Sequence, residues 1–457
     1  MELRLYQGDL ISEARSHMVR GVKSVLIQSP TGSGKTLLTA YMLKTSAAKG
    51  LTAWFMVHRK ELIDQSSATF HLMKLPHGII SAGYEGDPRQ QIQICSIQTL
   101  ARRLNKIKKP PDLLVFDECH HNAATTWTKV YDRFPEAYKI GLTATPERLD
   151  GKGLSKYFAA LVKGPSVRWL IDNGFLCDYK IFAFGGMDTS GMRKIGGDYV
   201  ASDLAKIADT PTIIGNVIHE YKSKAQGKRA IIFCTTVEHS KHVVDRFNQE
   251  GIPASHLDGE SPIEDRRRII KDFRSGNVRV LSNVNLFCEG FDLPGIEVAI
   301  LLRPTASLGF YLQMVGRVLR PAEGKPHAII LDHAGNCLEH GLPDEEREWA
   351  LEGRKKRKGV APVKLCHECY ACVSAGCVEC PHCGAILIVR QDVPEDTVHV
   401  LTEIDRVNFI RERKLEEARC YSYEDFLELG KQRKYRNPSG WAYLRMKLRR
   451  EKNKRLS

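Results

Sequence analysis

Val25-Leu-Ile-Gln-Ser29-Pro-Thr-Gly-Ser-Gly-Lys-Thr36-Leu-Leu-Thr-Ala-Tyr-Met42 is the stretch that decides the fold. The apolar run Val25–Ile27 reads as a buried strand, and Leu37–Met42 opens a helix. The glycine-rich turn between them exposes backbone N–H groups at a positive helix end, an arrangement that cradles phosphates. Pro30, Thr31, Gly32, Ser33 and Gly34 form the cradle. Lys35 would reach the β- and γ-phosphates, and Thr36 would ligate Mg²⁺. Ser29 stands where the general motif has its first glycine.

Outward from this turn, short apolar strands alternate with helical stretches as far as about residue 335. Ser24–Ile27, Ala53–Val57, Ile92–Ser96, Leu113–Phe116 and Ile140–Thr143 form one series. Ala230–Cys234, Val278–Ser282, Val298–Leu302 and Ala328–Leu331 form a second. Alternation of this kind predicts parallel sheets flanked by helices, and two series predict two α/β domains, over 1–165 and 211–335. The glycine-rich 185–197 stretch lies between them and marks 166–210 as a linker. A second, basic linker is expected over 336–365, since it holds the run Arg354-Lys-Lys-Arg-Lys358. A cysteine cluster over 366–384 and a basic helical region over 385–457 complete the division.

The 457 residues are 42% hydrophobic, enough for several cores, and carry a formal net charge of +14. The last 27 residues, Lys431–Ser457, hold eleven Lys/Arg and one acid, Glu451. They therefore account for +10 of that charge. Tyr435, Trp441 and Tyr443 interleave with the cations, a composition suited to a polyanion contact; the bland reading is a solvated tail. Lys431, Arg433, Trp441 and Arg445 are the candidates. No run of 18 apolar residues predicts a membrane span, and Met1–Gln7 lacks the apolar stretch of a signal peptide. A cytoplasmic location without a membrane partner is the expectation, nucleoid-associated or, for a phage protein, in the host cytoplasm.

Asp117-Glu-Cys-His120 follows the apolar run Leu113–Phe116. Acids just past a buried strand are costly without a partner, and an ion beside the phosphates supplies one. Asp117 would hold Mg²⁺, and Glu118 would orient the water that attacks the γ-phosphate. The plain alternative is an acidic turn that caps the next helix. Thr143-Ala-Thr145 also ends a predicted strand.

Together these motifs resemble the motor core of superfamily 2 helicases and translocases. Ser29–Thr36 matches motif I, Asp117–His120 the DExH box, and Thr143–Thr145 motif III. The resemblance implies that Thr143 and Thr145 couple hydrolysis to domain movement. It also implies that Arg4 and Gln7, in Leu3-Arg-Leu-Tyr-Gln7, lie on the adenine side. Val57-His-Arg-Lys-Glu-Leu62 looks like motif Ia and Ser96-Ile-Gln-Thr99 like Ib. That makes Arg59, Gln98 and Thr99 candidates for the nucleic-acid backbone; ordinary surface polarity is the equal alternative. Gln313, Gly316, Arg317 and Arg320 would share one face of a helix and resemble motif VI. Gln313 then joins the catalytic set, and Arg317 and Arg320 are implied to reach the γ-phosphate from the second domain, with Arg320 as arginine finger. Phe233-Cys-Thr-Thr236 resembles motif IV, with Thr235 a nucleic-acid candidate. The 283–294 stretch resembles motif V, with Gly290 and Asp292 at the nucleotide. The implied fold is two tandem RecA-like domains.

The DECH box and the Gln at the head of motif VI look more like DNA translocases than DEAD-box RNA helicases. Thr236-Val-Glu-His239, Gln313–Arg320 and Ile330-Leu-Asp-His-Ala-Gly-Asn336 resemble bacterial RadD-like DNA helicases and their phage relatives. The implied activity is ATP-dependent movement on DNA in replication, recombination or repair, with replication or recombination proteins as partners. An RNA-directed helicase and an ATP-switched binding scaffold are the alternatives. Cys366-x-x-Cys369 and Cys380-x-x-Cys383 have the spacing of a structural zinc ribbon, with Cys372 and Cys377 surplus. ATP, Mg²⁺ and Zn²⁺ are thus the expected cofactors.

Overall fold

In a computed structural model, the chain forms two compact units, residues 1–358 and 359–457. The structure describes residues 3–121, 125–148, 151–183, 191–284 and 295–353, with positions 187, 189 and 286. In the second unit it describes 363–365, 372–374, 379, 384–385, 402–403, 416–417, 420, 422–433, 438–439, 441–443 and 445–446.

The first unit holds two parallel sheets. Strands β1 (Ser24–Gln28), β2 (Ala53–Val57), β3 (Gly78–Ile80), β4 (Ile92–Ser96), β5 (Leu113–Phe116), β6 (Tyr138–Thr143) and β7 (Ala160–Lys163) lie in the order β3-β4-β2-β5-β6-β1-β7. The near-continuous apolar runs reflect burial on both faces. Leu26, Trp54, Phe116, Trp127 and Phe158 join one core beside this sheet. Register places Gln28 opposite Thr143, so the phosphate turn and Thr143–Thr145 leave neighbouring strands at the same carboxyl edge. Ligands bind at this edge in open α/β sheets.

The second sheet is built from β8 (Asp178–Ala183), β11 (Ala230–Phe233), β12 (Ala254–Leu257), β13 (Val280–Asn283), β14 (Val298–Leu301) and β15 (His327–Asp332). Their order is β12-β13-β11-β14-β15-β8. A two-stranded hairpin, β9 (Lys194–Ile195) and β10 (Asp198–Tyr199), stands outside the sheets. Its base is fixed by Asp198, which pairs with Arg303 at 3.0 Å and accepts from the Thr305 hydroxyl and the Ala306 N–H.

Two expectations about connections need correction. Residues 166–210 are not a plain linker: β8 pairs in parallel with β15 along its whole length and belongs to the second sheet. The alternation Tyr179-Lys180-Ile181 carries the signal, but the neighbouring glycines obscure it. Nor is 336–353 a plain linker. It forms a short helix, Asn336–His340, and then returns to the first domain, where the Leu351 carbonyl accepts from the Leu154 and Ser155 N–H groups.

In the second unit, the helix Tyr423–Gln432 starts at a capping box formed by Ser422 and Asp425. Cys420, Phe426 and Ala442 form its small core. An antiparallel pair, Val363–Leu365 with Cys372–Ser374, lies near its start. Among the described residues, no helix is long and apolar enough to cross a membrane.

Candidate active site

The phosphate turn is shaped by backbone freedom. Gly32 and Gly34 have φ of 86° and 82°, values open to glycine and strained for residues with a Cβ. Ser29, the departure from the general motif, has a local use. Its hydroxyl lies 2.7 Å from that of Ser33, which in turn donates to the Pro30 carbonyl. The turn is braced from below by the first helix: the Tyr6 hydroxyl donates to the Ser33 carbonyl at 2.6 Å, and the Gln7 amide does so at 3.0 Å. The Gln7 carbonyl oxygen accepts from the Arg4 N–H. Gln7 is therefore buried and engaged with the loop itself, and the Arg4 guanidinium lies over the Phe175 ring.

Lys35 begins the helix Lys35–Ala47. Its ammonium stands 3.4 Å from Glu118 Oε1 and 3.4 Å from the Ser29 carbonyl. Thr36 follows it on the same first turn. Asp117 and Glu118 leave the end of β5. Glu118 has φ of 43°, a left-handed conformation for a residue with a Cβ, and such strain costs about 1–3 kcal/mol and gathers at functional sites. Burial, with Glu118 beside it, pushes the Asp117 carboxyl up to about 6, against the pull of Lys35. A buried Asp117 with Glu118 beside it carries more negative charge than Lys35 offsets, and a donor set of this chemistry fits a divalent ion.

His120 ties three motifs together. The Gln313 amide donates to its Nε2 at 3.2 Å, so the ring proton sits on Nδ1, which faces the Thr143 hydroxyl at 3.1 Å and Glu118 Oε2 at 3.4 Å. The Thr143 hydroxyl in turn donates to the Thr145 carbonyl at 2.7 Å. The sequence marks His120 only as the last residue of the acidic box and gives it no role of its own; that place in the box is the available signal.

The second domain closes on this site. A Cβ at Gly316 would stand 2.5 Å from Thr31, and one at Gly309 2.8 Å from Thr145. The helix Leu308–Gly316 ends before the arginines, so the expectation that Gln313, Arg317 and Arg320 share a helical face is corrected. Arg317 caps the helix end, buried, and Arg320 lies beyond it in a turn. The chain leaves helical geometry at the point where Gly316 lies against Thr31. It still carries the Arg320 stem to the phosphate loop, with its Cγ 3.7 Å from where a Gly32 Cβ would be.

Away from the phosphate turn, Arg59 donates to the Leu286 carbonyl at 3.3 Å, and Glu61 pairs with Arg266. Both bonds join the two domains. Gln98 donates to the His58 carbonyl at 3.0 Å, and Thr99 accepts from the Ala82 N–H. Thr235 is 1% exposed and its hydroxyl is paired with His239, which turns it inward from any nucleic acid. In the second unit, Arg433 is paired with Glu416 and Glu417, and Arg445 with Glu417. Both guanidinium groups lie over the Trp441 ring, which also meets Phe426 edge-on. These three residues thus knit the unit together; Lys431 alone of that group points outward. Gly290, Asp292, Cys366, Cys369, Cys380 and Cys383 lie outside the described residues, as do Cys377 and the side chain of Cys372. Among the described residues, no group of three or more potential ligands forms a metal cluster.

Two parallel-sheet domains enclosing a phosphate turn, an acidic box and an arginine turn define a RecA-like motor. Comparison with known proteins agrees. Residues 1–148 match the family described as Type III restriction enzyme, res subunit, and 209–322 match the Helicase conserved C-terminal domain. A 51.5 kDa protein of a Lactococcus phage is 36% identical over 364 residues, covering 79% of this chain and 77% of its own. The protein named "Putative ATP-dependent helicase IRC3" in Saccharomyces cerevisiae is 28% identical, covering 73% of this chain; the match spans about half of its length, 51%. The DNA 3'-5' translocase XPB2 of Sulfurisphaera tokodaii is 26% identical, covering 76% of this chain and 85% of its own. A fragment from Vibrio vulnificus, titled as a putative HsdR subunit of a type I restriction enzyme, shares the fold with a TM-score of 0.60 at 22% identity, over 77% of this chain and 67% of its own. The chain belongs to the superfamily 2 DExH-type helicases, a family of ATPases.

Proposed function

We propose that this protein is a DNA-stimulated ATPase that translocates on DNA or separates its strands. The observation that carries the reading is a phosphate-binding chemistry split between two domains. Lys35, Asp117 and Glu118 come from one side, and the turn bearing Arg317 and Arg320 packs against the phosphate loop from the other.

In this reading the loop N–H groups from Thr31 to Thr36 and the Lys35 ammonium hold the phosphates. Thr36 and Asp117 would hold Mg²⁺, which would offset phosphate charge. Glu118 accepts the proton of the attacking water, whose oxygen bonds to the γ-phosphorus as the bond to ADP breaks. The products are ADP and inorganic phosphate. Arg320 stabilises the charge of the transition state, and Arg317 lies beside it. Loss of the γ-phosphate releases the second domain, and the Gln313–His120–Thr143 chain reports that loss to motif III. A cleft that alternately binds and releases steps a bound strand.

DNA rather than RNA is favoured by the DECH box, by Gln313 and by the relative that is a DNA translocase. ATP turnover measured with single-stranded, duplex and forked DNA, and with RNA as control, tests this. DNA should stimulate turnover most; stimulation by RNA alone would transfer the reading to RNA. Replication, recombination or repair is the proposed setting, and proteins of those processes the proposed partners.

The cysteine segment is read as a structural zinc ribbon. In support, the strands Val363–Leu365 and Cys372–Ser374 bracket the segment that holds Cys366 and Cys369. Elemental analysis should find one zinc per chain, and none after Cys366→Ser with Cys380→Ser. The basic tail is read as a DNA contact, carried by the cations beyond Arg445.

A further inference from the structure

Lys325 is a buried cation, 9% exposed, that makes no ion pair within 4 Å among the described residues; the Cys177 side chain and, by its charge, the Glu297 carboxylate also act on it. Burial disfavours its charge and lowers its pKa, so a lysine here is costly where a leucine would pack more cheaply. Its ammonium instead donates to two main-chain carbonyls, that of Val318 and, at 2.9 Å, that of Arg320. Between them, the Leu319 carbonyl accepts from the Cys177 N–H at 2.8 Å. Three successive carbonyls of the turn after the helix Leu308–Gly316 are thereby fixed. A helix end that stops in the interior leaves such groups without partners; here one side chain supplies two of them.

We infer that Lys325 is a positioning residue for Arg320, a clamp that holds the motif VI turn so that the arginine stem stays on the phosphate loop. Lys325 reaches no phosphate itself; it acts through the backbone of the arginine. The turn depends on such a clamp because residues 317–319 form neither helix nor strand, and its contact with the loop runs through Gly316 and Arg320. The Cys177 thiol also approaches the Val318 carbonyl, at 3.7 Å, but a thiol is a weak donor and leaves the Arg320 carbonyl to the ammonium. Freed from Lys325, the turn loses two of its three carbonyl ties, and the Arg320 stem can shift off the loop. The inference rests on the reading of Arg320 as the residue that stabilises the transition state.

The test is a double-mutant cycle on the full chain, read as kcat and KM for ATP with saturating single-stranded DNA. Lys325→Met keeps the stem and removes the donors; misplacement of a catalytic group by about 1 Å costs on the order of 100-fold in rate. Lys325→Met should therefore lower kcat by roughly that factor while KM for ATP changes little. Lys325→Arg, which keeps the donors, should recover much of the rate. In an Arg320→Ala background, Lys325→Met should cost nothing more, since two residues that act as a unit are not additive. If Lys325→Met multiplies the loss in that background, or raises KM with kcat intact, the clamp is wrong while Arg320 keeps its role. If Arg320→Ala alone turns over ATP like the wild type, the arginine assignment falls and the clamp with it. Should Lys325→Met not fold, Lys325→Gln, which keeps an N–H donor and loses the charge, takes its place in the cycle. A kcat loss that vanishes in the Arg320→Ala background then supports the clamp, and a loss that multiplies there overturns it.

Discussion

Glu118 holds the strained backbone of the site, at φ of 43°, with its carboxylate between Lys35 and His120. Strain at one residue is retained where the side chain must point to one place. Glu118→Gln keeps the shape and removes the base. ATP turnover should fall by about 10²- to 10⁴-fold while a fluorescent nucleotide still binds; unchanged turnover would remove Glu118 from the role. Gly34→Ala tests the loop in a different way. Its φ of 82° and a Cβ 2.8 Å from the Gln7 amide make alanine both strained and crowded, so nucleotide affinity should drop and the thermal midpoint should move down. Both residues are legible in the sequence, because this glycine spacing and paired acids after a strand rarely occur together outside a nucleotide site. Gln7 is legible only in part. Its motif marks it for the nucleotide, but the geometry shows its amide spent on the loop carbonyls of Ser33 and Gly34, a three-dimensional contact that no local pattern encodes.

Elements that continue an apolar alternation are legible, and elements that interrupt one are not. The strands β1, β2, β4 and β5 sit where their hydrophobic runs put them. β8 escapes because glycine-rich sequence follows it, and β12 because Ala254-Ser-His-Leu257 is half polar. Periodicity draws the helix of motif VI too long, since it cannot see the contact with Thr31 at which the chain turns away after Gly316. The interdomain pair Glu61–Arg266 is equally invisible: the two residues are 205 positions apart. Arg266 also donates to the carbonyls of Asp258, Gly259 and Ser261, so it braces the loop after β12 and links it to the helix Lys60–Leu72. Glu61→Ala and Arg266→Ala should each weaken DNA-stimulated turnover, and the double variant should be no worse than Arg266→Ala, with a coupling of about 0.5–3 kcal/mol. Additive losses would mean that the pair does not act as one link. The cleft contact at Gly316 belongs to the same scale. Gly316→Val would drive a side chain into Thr31 and should hold the domains apart, abolishing DNA stimulation while nucleotide still binds to the first domain.

For the whole molecule, the two sheets and their order of motifs can be anticipated, because parallel α/β domains repeat the same strand-to-helix rhythm. The tail differs from its composition in one respect. Arg433, Trp441 and Arg445 are spent on the packing of the second unit, so deleting everything beyond Lys431 would unfold that unit as well as remove charge. Neutralising Arg449, Arg450, Lys452 and Lys454 is the cleaner experiment. DNA affinity should fall, and the slope of log affinity against log salt should shrink by about one for each phosphate no longer neutralised; an unchanged slope would leave the tail as a solvated end. The central claim is that one ATP site is completed by the second domain. Steady-state ATP hydrolysis by the full chain and by Arg320→Ala, each with and without single-stranded DNA, tests it most directly. DNA should raise the wild-type rate, and Arg320→Ala should lose about 10³-fold or more of the stimulated rate, with nucleotide binding retained. An Arg320→Ala protein that hydrolyses ATP at the wild-type stimulated rate would contradict it.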